Sequence, residues 1–133
     1  MPRAFLPVAF AVSLGVSSLW PGAAGAVDSS NFVLNTTQDL YQLCSTPNND
    51  PLRTAAINYC EGFLLGVVTF QNAIADANPN KRLICYPQGV TRDQGIQAFV
   101  TWAASHQQDQ KFMTDSALMG ALRGLASKWP CKG

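Results

Sequence analysis

Four cysteines, a single histidine and a single glutamate are the residues of this chain best equipped for special chemistry. Cys44, Cys60, Cys85 and Cys131 are separated by 16, 25 and 46 residues. Zinc sites usually draw on close pairs such as CxxC, and this chain has none, so an even count at these gaps reads as two disulfides. Paired cysteines point to an oxidising compartment and leave no thiol for nucleophilic attack. His106 falls in a polar stretch and reads as a surface residue rather than a base. Glu61 follows Cys60 directly and is expected to point outward. Without His106 no Ser-His-Asp set can be assembled. No HExxH, P-loop or dinucleotide fingerprint is present. The chemistry-bearing residues therefore predict a protein with no catalytic site, no metal and no cofactor.

The rest of the chain must position these residues. Arg3 is followed by an apolar, uncharged run from Ala4 to Trp20, broken by Pro7, and then by the small-residue sequence Ala24-Gly25-Ala26. This pattern predicts a signal peptide over residues 1–26, cleaved before Val27, rather than a membrane anchor. Cleavage would leave residues 27–133, one domain of 107 residues with eight basic and eight acidic side chains. A near-zero charge with no basic cluster argues against nucleic acid and anionic membrane surfaces as partners. A domain this short buries a modest core and gains from covalent closure.

Helical punctuation divides the remainder. Thr36 is placed to cap a first helix with Asp39 at its third position, and Leu40, Leu43 and Cys44 would face inward. Asp50-Pro51 opens a second helix expected to reach about Ala75. Its apolar residues Ala56, Tyr59, Cys60, Phe63, Val67, Phe70 and Ile74 recur at spacings of three and four. A loop containing Asn78-Pro79-Asn80 follows, then a short extended piece carrying Cys85. Thr91 and Gln94 have capping-box spacing and open a third helix, with Ile96, Phe99, Val100 and Ala103 on one stripe. After a polar turn, a fourth helix begins near Thr114, with Leu118, Ala121, Leu122, Leu125 and Trp129 inward, and Pro130 ends it. The reading is a mainly α fold: a small four-helix, disulfide-bonded bundle. A short loop makes helices one and two antiparallel and brings Cys44 to Cys60, and a hairpin of similar arms formed by helices three and four returns Cys131 to Cys85, the pairing that local geometry favours among three. Gly62 and Gly66 have GxxxG spacing in an uncharged run too short to span a membrane, so they suggest close helix packing within the fold or across a dimer.

Several of these segments together resemble a known family. They are Asp39-Leu40-Tyr41-Gln42-Leu43-Cys44, Tyr59-Cys60-Glu61-Gly62-Phe63-Leu64-Leu65-Gly66, Ile84-Cys85-Tyr86-Pro87 with the Val90-Thr91 helix start, and Ala121-Leu122 leading to Trp129-Pro130-Cys131. In this order they resemble the Rap/Tai immunity proteins, which protect bacteria from cell-wall amidase toxins. The resemblance implies a helical periplasmic domain, often a homodimer, that binds a protein partner and blocks its cleft. The loop best suited to entering a cleft runs from Asp76 to Arg82, with Asn78, Asn80, Lys81 and Arg82 around Pro79; a solvated connector would have the same composition, and the outer faces of helices three and four are the next candidate surface. Such a loop loses little entropy on binding if it is already ordered. Two alternatives have different requirements. A small periplasmic chaperone would carry more acidic charge than this chain, whose only glutamate is Glu61. A carrier of a small ligand or lipid would need an internal cavity.

Overall fold

The computed structural model describes residues 26–132. The signal-peptide reading of residues 1–26 lies outside the described residues, except for Ala26. Five helices follow in order: α1 (Thr37–Cys44), α2 (Arg53–Ala77), α3 (Arg92–Ser105), α4 (Gln110–Met113) and α5 (Ala117–Lys128). Single 3-10 turns lie at Asn31–Val33 and Pro79–Lys81. Among the described residues the only extended pairing is one antiparallel bridge between Ile84 and Pro130. The four longer helices match the four expected. The additional one, α4, is a single turn in the polar connection, capped where Asp109 Oδ1 accepts from the Lys111 amide at 3.0 Å.

Local chemistry starts each helix. At α1 the Thr36 hydroxyl accepts from the Asp39 amide while the Asp39 carboxylate accepts from the Thr36 amide, satisfying two otherwise unpaired donors. Thr91 and Gln94 make the same reciprocal box at α3. Helix α2 starts two residues later than expected. Pro51 and Leu52 form a turn instead, with the Asp50 carboxylate accepting from the Leu52 amide at 2.7 Å. Its end comes where Asn78 turns extended before Pro79, as the residue before a proline is pushed to do.

Helix α5 packs against α3 and α1, and α2 closes the other side against α1 and α3. The centre holds Leu40, Leu43, Phe99, Ala103, Ala121 and Leu125. Cys44 bonds to Cys60, pinning α2 to the end of α1, and Cys85 bonds to Cys131, tying the segment after α2 to the chain's last residues.

Three packing expectations need correction. The buried stripe of α2 is Ala56, Cys60, Leu64, Val67, Gln71 and Ala75, so it is rotated from the expected one. Tyr59, Phe70 and Ile74 are exposed instead. Ala56, Cys60 and Val67 are common to both stripes, but between and beyond them Leu64, Gln71 and Ala75 turn inward in place of Phe63, Phe70 and Ile74. Secondly, Gly62 and Gly66 make no close approach within the fold: a Cβ added at either would meet nothing within 4 Å. The close approaches belong to a second GxxxG on α5. A Cβ on Gly120 would lie 2.3 Å from Thr37 Oγ1, and one on Gly124 would lie 2.9 Å from Phe99 Cδ2. Inward-facing Gly120 and Gly124 let α1 and α3 approach α5, whereas Leu118, expected inside, is exposed.

Candidate partner-binding surface

The loop after α2 is a braced turn. The Asn78 amide still donates to Ile74 O, closing the helix, while its side-chain oxygen accepts from the Asn80 amide at 3.2 Å. Pro79 fixes the first residue of the 3-10 turn, which closes through the Arg82 amide to Pro79 O at 3.2 Å. The Arg82 guanidinium folds back onto α2, donating to Asn72 Oδ1 at 3.2 Å and lying 3.5 Å from Asp76 Oδ1. Asn72 also donates to the Tyr86 hydroxyl at 2.6 Å.

Beneath this lies Gln71, only 4% exposed. Its side-chain oxygen accepts from the amides of both Leu83 and Ile84 at 2.8 Å, and its NH2 donates to Asn72 Oδ1 at 2.9 Å. A buried amide so fully used is worth more than its count of bonds, because each partner it serves would otherwise be an unpaired polar group. On the far side, the Cys85 amide donates to Trp129 O at 2.9 Å beside the Cys85–Cys131 bond. The strand-like segment is thus held between α2 and the C-terminal end of the chain.

The four candidate residues divide between two roles. Asn78 and Arg82 use their side chains to build the turn. Asn80 and Lys81 are exposed on it, and Lys81 forms no ion pair among the described residues. Leu83, 53% exposed, stands immediately after them. Gln71 and Asn72, which brace the turn, were missed from sequence. The available signal was an amide at the inward position four residues after Val67 and four before Ala75.

The remaining singled-out residues sit elsewhere. Glu61 reaches from α2 to Arg92 at the start of α3, with 2.5 Å between Oε1 and Nη1, so it bridges two helices rather than standing free. His106 is half-buried, in contrast to the expected surface residue. Its ring stacks on Trp102 with centroids 4.7 Å apart and meets the edge of Phe112 at 5.1 Å. Its Nδ1 lies 2.7 Å from Trp102 O, which uses that nitrogen as a donor to the end of α3. Beside this cluster, Arg123 lies over the Phe112 ring and donates to Asp115 Oδ2 at 2.6 Å. That bond, followed by one from the Ser116 amide, holds the Asp115 carboxyl below the usual carboxylate range. All four cysteines are bonded in pairs. Among the described residues no group of three or more His, Cys, Asp or Glu side chains could hold a metal ion.

No curated protein and no solved structure matches the chain. A family model, that of the Rap1a immunity proteins, matches residues 36–131. The match opens on the Thr36 cap and closes on Cys131, so it takes in both disulfides, the braced turn and every α-helix. The chain belongs to the Rap1a immunity protein family.

Proposed function

We propose that this protein is a non-catalytic periplasmic inhibitor that neutralises a peptidoglycan amidase toxin by seating the Asn78–Leu83 turn against the toxin's active-site cleft. The observation that carries the reading is the bracing of that turn by Gln71, Asn72 and Asp76 while Asn80, Lys81 and Leu83 remain exposed. A turn ordered before contact gives up little entropy on binding. An apolar Leu83 beside polar Asn80 and Lys81 has the anchor-and-rim composition of interface centres. Occlusion needs no acid–base pair, in keeping with the structural uses found for Glu61 and His106.

The same reading takes the protein as a homodimer through α2. The outward side of that helix carries Tyr59, Gly62, Leu65, Gly66, Phe70 and Ile74, with no charged side chain among them. Phe70 is 63% exposed. Two copies crossing antiparallel midway between Gly62 and Gly66 would set Gly62 of one opposite Gly66 of the other, giving the glycines the close approach they lack within the fold. Such a pairing is self-complementary, as a two-fold interface requires.

The test is to look for an exported amidase gene beside this protein's own and to use its product; absence of one counts against the amidase as target. Peptidoglycan hydrolysis is measured with increasing inhibitor. Replacing Asn80 and Lys81 together with Ser should raise the concentration needed for inhibition about tenfold or more, with little change in melting temperature. Unchanged inhibition by that double variant removes the turn from the interface. Analytical ultracentrifugation of Gly66→Phe tests the dimer, which should dissociate.

A further inference from the structure

Between α2 and α3 the fold leaves an apolar cavity of about 210 Å³ that opens to the surface. It reaches the core, since the fully buried Ile84 and nearly buried Leu125 form part of its wall. Val68 and Trp129 line it as well, and Glu61 and Arg92 stand among its lining residues as a pair joining the two helices. We propose that this cavity binds a small free carboxylic acid with one short aliphatic chain, the chain inside and the carboxylate on Arg92.

Three observations support that ligand class. The lining is dominated by hydrocarbon with few polar groups, the composition of sites that take an apolar body and orient it by one head. Arg92 is two-thirds exposed and meets Glu61 through one nitrogen only, so its remaining N–H groups are open to a second carboxylate. The positive end of α3 adds to that preference, and Glu61 keeps the one nitrogen it already holds. Finally, Gly95 stands in the cavity wall, inside α3. A glycine within a helix is less stable than alanine, and on α5 that cost is explained by close packing. At Gly95 an added Cβ would meet nothing within 4 Å. What the missing side chain leaves clear is the cavity. The volume suits a chain of a few carbons rather than a full lipid tail.

The experiment is a titration of the purified protein with octanoate, octanol and octyltrimethylammonium, followed by amide-shift NMR and tryptophan emission. Octanoate should saturably shift the amides of Ile84, Gly95 and Leu125 and change emission from Trp129. Octanol should bind about tenfold or more weakly, and the cationic probe more weakly still. Arg92→Gln should reduce octanoate to the level of octanol. Gly95→Leu should block the cavity, and Val68→Phe should do so from the opposite wall if the first variant does not fold. Equal binding of octanoate and octanol overturns the assignment of the carboxylate to Arg92. Shifts confined to Tyr59, Phe70 and Ile74, or octanoate binding undiminished in the folded blocking variant, overturn the site. Co-sedimentation with phosphatidylglycerol vesicles in the absence of octanoate binding overturns the choice of a free acid over a bilayer lipid.

Discussion

Gly120 and Gly66 belong to identical GxxxG spacings, yet alanine at the two positions should move stability in opposite directions. In Gly120→Ala the new methyl would lie 2.3 Å from Thr37 Oγ1, 2.5 Å from its Cγ2 and 2.8 Å from its Cβ. Thr37 has no easy retreat. It is fully buried, its amide donates to Asp115 O at 2.7 Å, and its hydroxyl lies 3.2 Å from the carbonyls of Asp115 and Ser116. Overpacking of this kind costs about 1–3 kcal/mol, and displacing the hydroxyl forfeits about 1 kcal/mol more. The better helix propensity of alanine returns about 1 kcal/mol. The net loss is about 1–3 kcal/mol, a fall in Tm on the order of 10 °C for a domain of this size. Gly66→Ala meets nothing, so only the propensity gain of about 0.5–1 kcal/mol remains and Tm should rise by a few degrees. Thermal melts by circular dichroism at low protein concentration, where a dimer contributes least, compare the two directly. Gly124→Ala, with one contact below 3.0 Å, should fall between them. If Gly120→Ala and Gly66→Ala shift Tm in the same direction, the assignment of close packing to α5 is wrong.

Other perturbations read other parts of the molecule. Gln71→Leu leaves the Leu83 and Ile84 amides without their acceptor and should cost about 1–3 kcal/mol, with early hydrogen exchange at those two amides as the local signature. Faster exchange spread evenly over the domain, with none localised there, would count against the bracing role. Cys131→Ser opens a loop of 46 residues and should cost about 2–5 kcal/mol in denaturant melts. The Asp115 carboxyl is depressed in the fold, so the stability it lends is present above the ordinary carboxylate range and is lost as pH falls through its lowered folded value. Asp115→Asn should therefore flatten the acid limb of a stability–pH curve, and an unchanged limb refutes the linkage. Changing Glu61 or His106 to Ala should leave inhibition of an amidase in place, and complete loss with the fold intact would restore a catalytic account.

Reading from sequence succeeded where local chemistry decides structure. Thr36 with Asp39 and Thr91 with Gln94 state the starts of α1 and α3 in side chains that can satisfy specific amides, and no distant residue can override them cheaply. The inward positions of α1 were equally legible, because Leu40, Leu43 and Cys44 are set among polar neighbours. Helix α2 was harder for a physical reason. It is apolar on almost every side, so Tyr59, Phe63, Phe70 and Ile74 give as good a three-and-four spacing as Leu64, Val67 and Ala75. Periodicity cannot choose between two stripes on such a helix, and the choice is made at long range by the backbone that Gln71 must serve. The same applies to α5, where leucines suggest the inner face but small residues occupy it, because space is set by how near α1 and α3 must come. The turn at Asn78–Lys81 could be located from Pro79. Its bracing could not, since Gln71 and Asn72 act across 12 to 14 residues of chain.

Helix α2 divides its circumference among three tasks, and this division links the fold to the proposed function. One stripe, Ala56 to Val67, closes the core. At the C-terminal end that stripe becomes polar at Gln71, where an apolar residue would pack as well but would leave the buried Ile84 amide and the part-buried Leu83 amide without their acceptor. The exchange of a core leucine or valine for glutamine is therefore explained only by the segment it holds, Leu83 and Ile84, which sets the exposed turn just before it. The outward side keeps Phe70 and Ile74 exposed. Burying that side against a second copy would cover it and rigidify the same helix whose end braces the turn. Dimer formation and toxin binding should then be coupled through α2, so that Gly66→Phe weakens inhibition as well as self-association. An equally potent monomeric Gly66→Phe would separate the two and leave the turn sufficient alone.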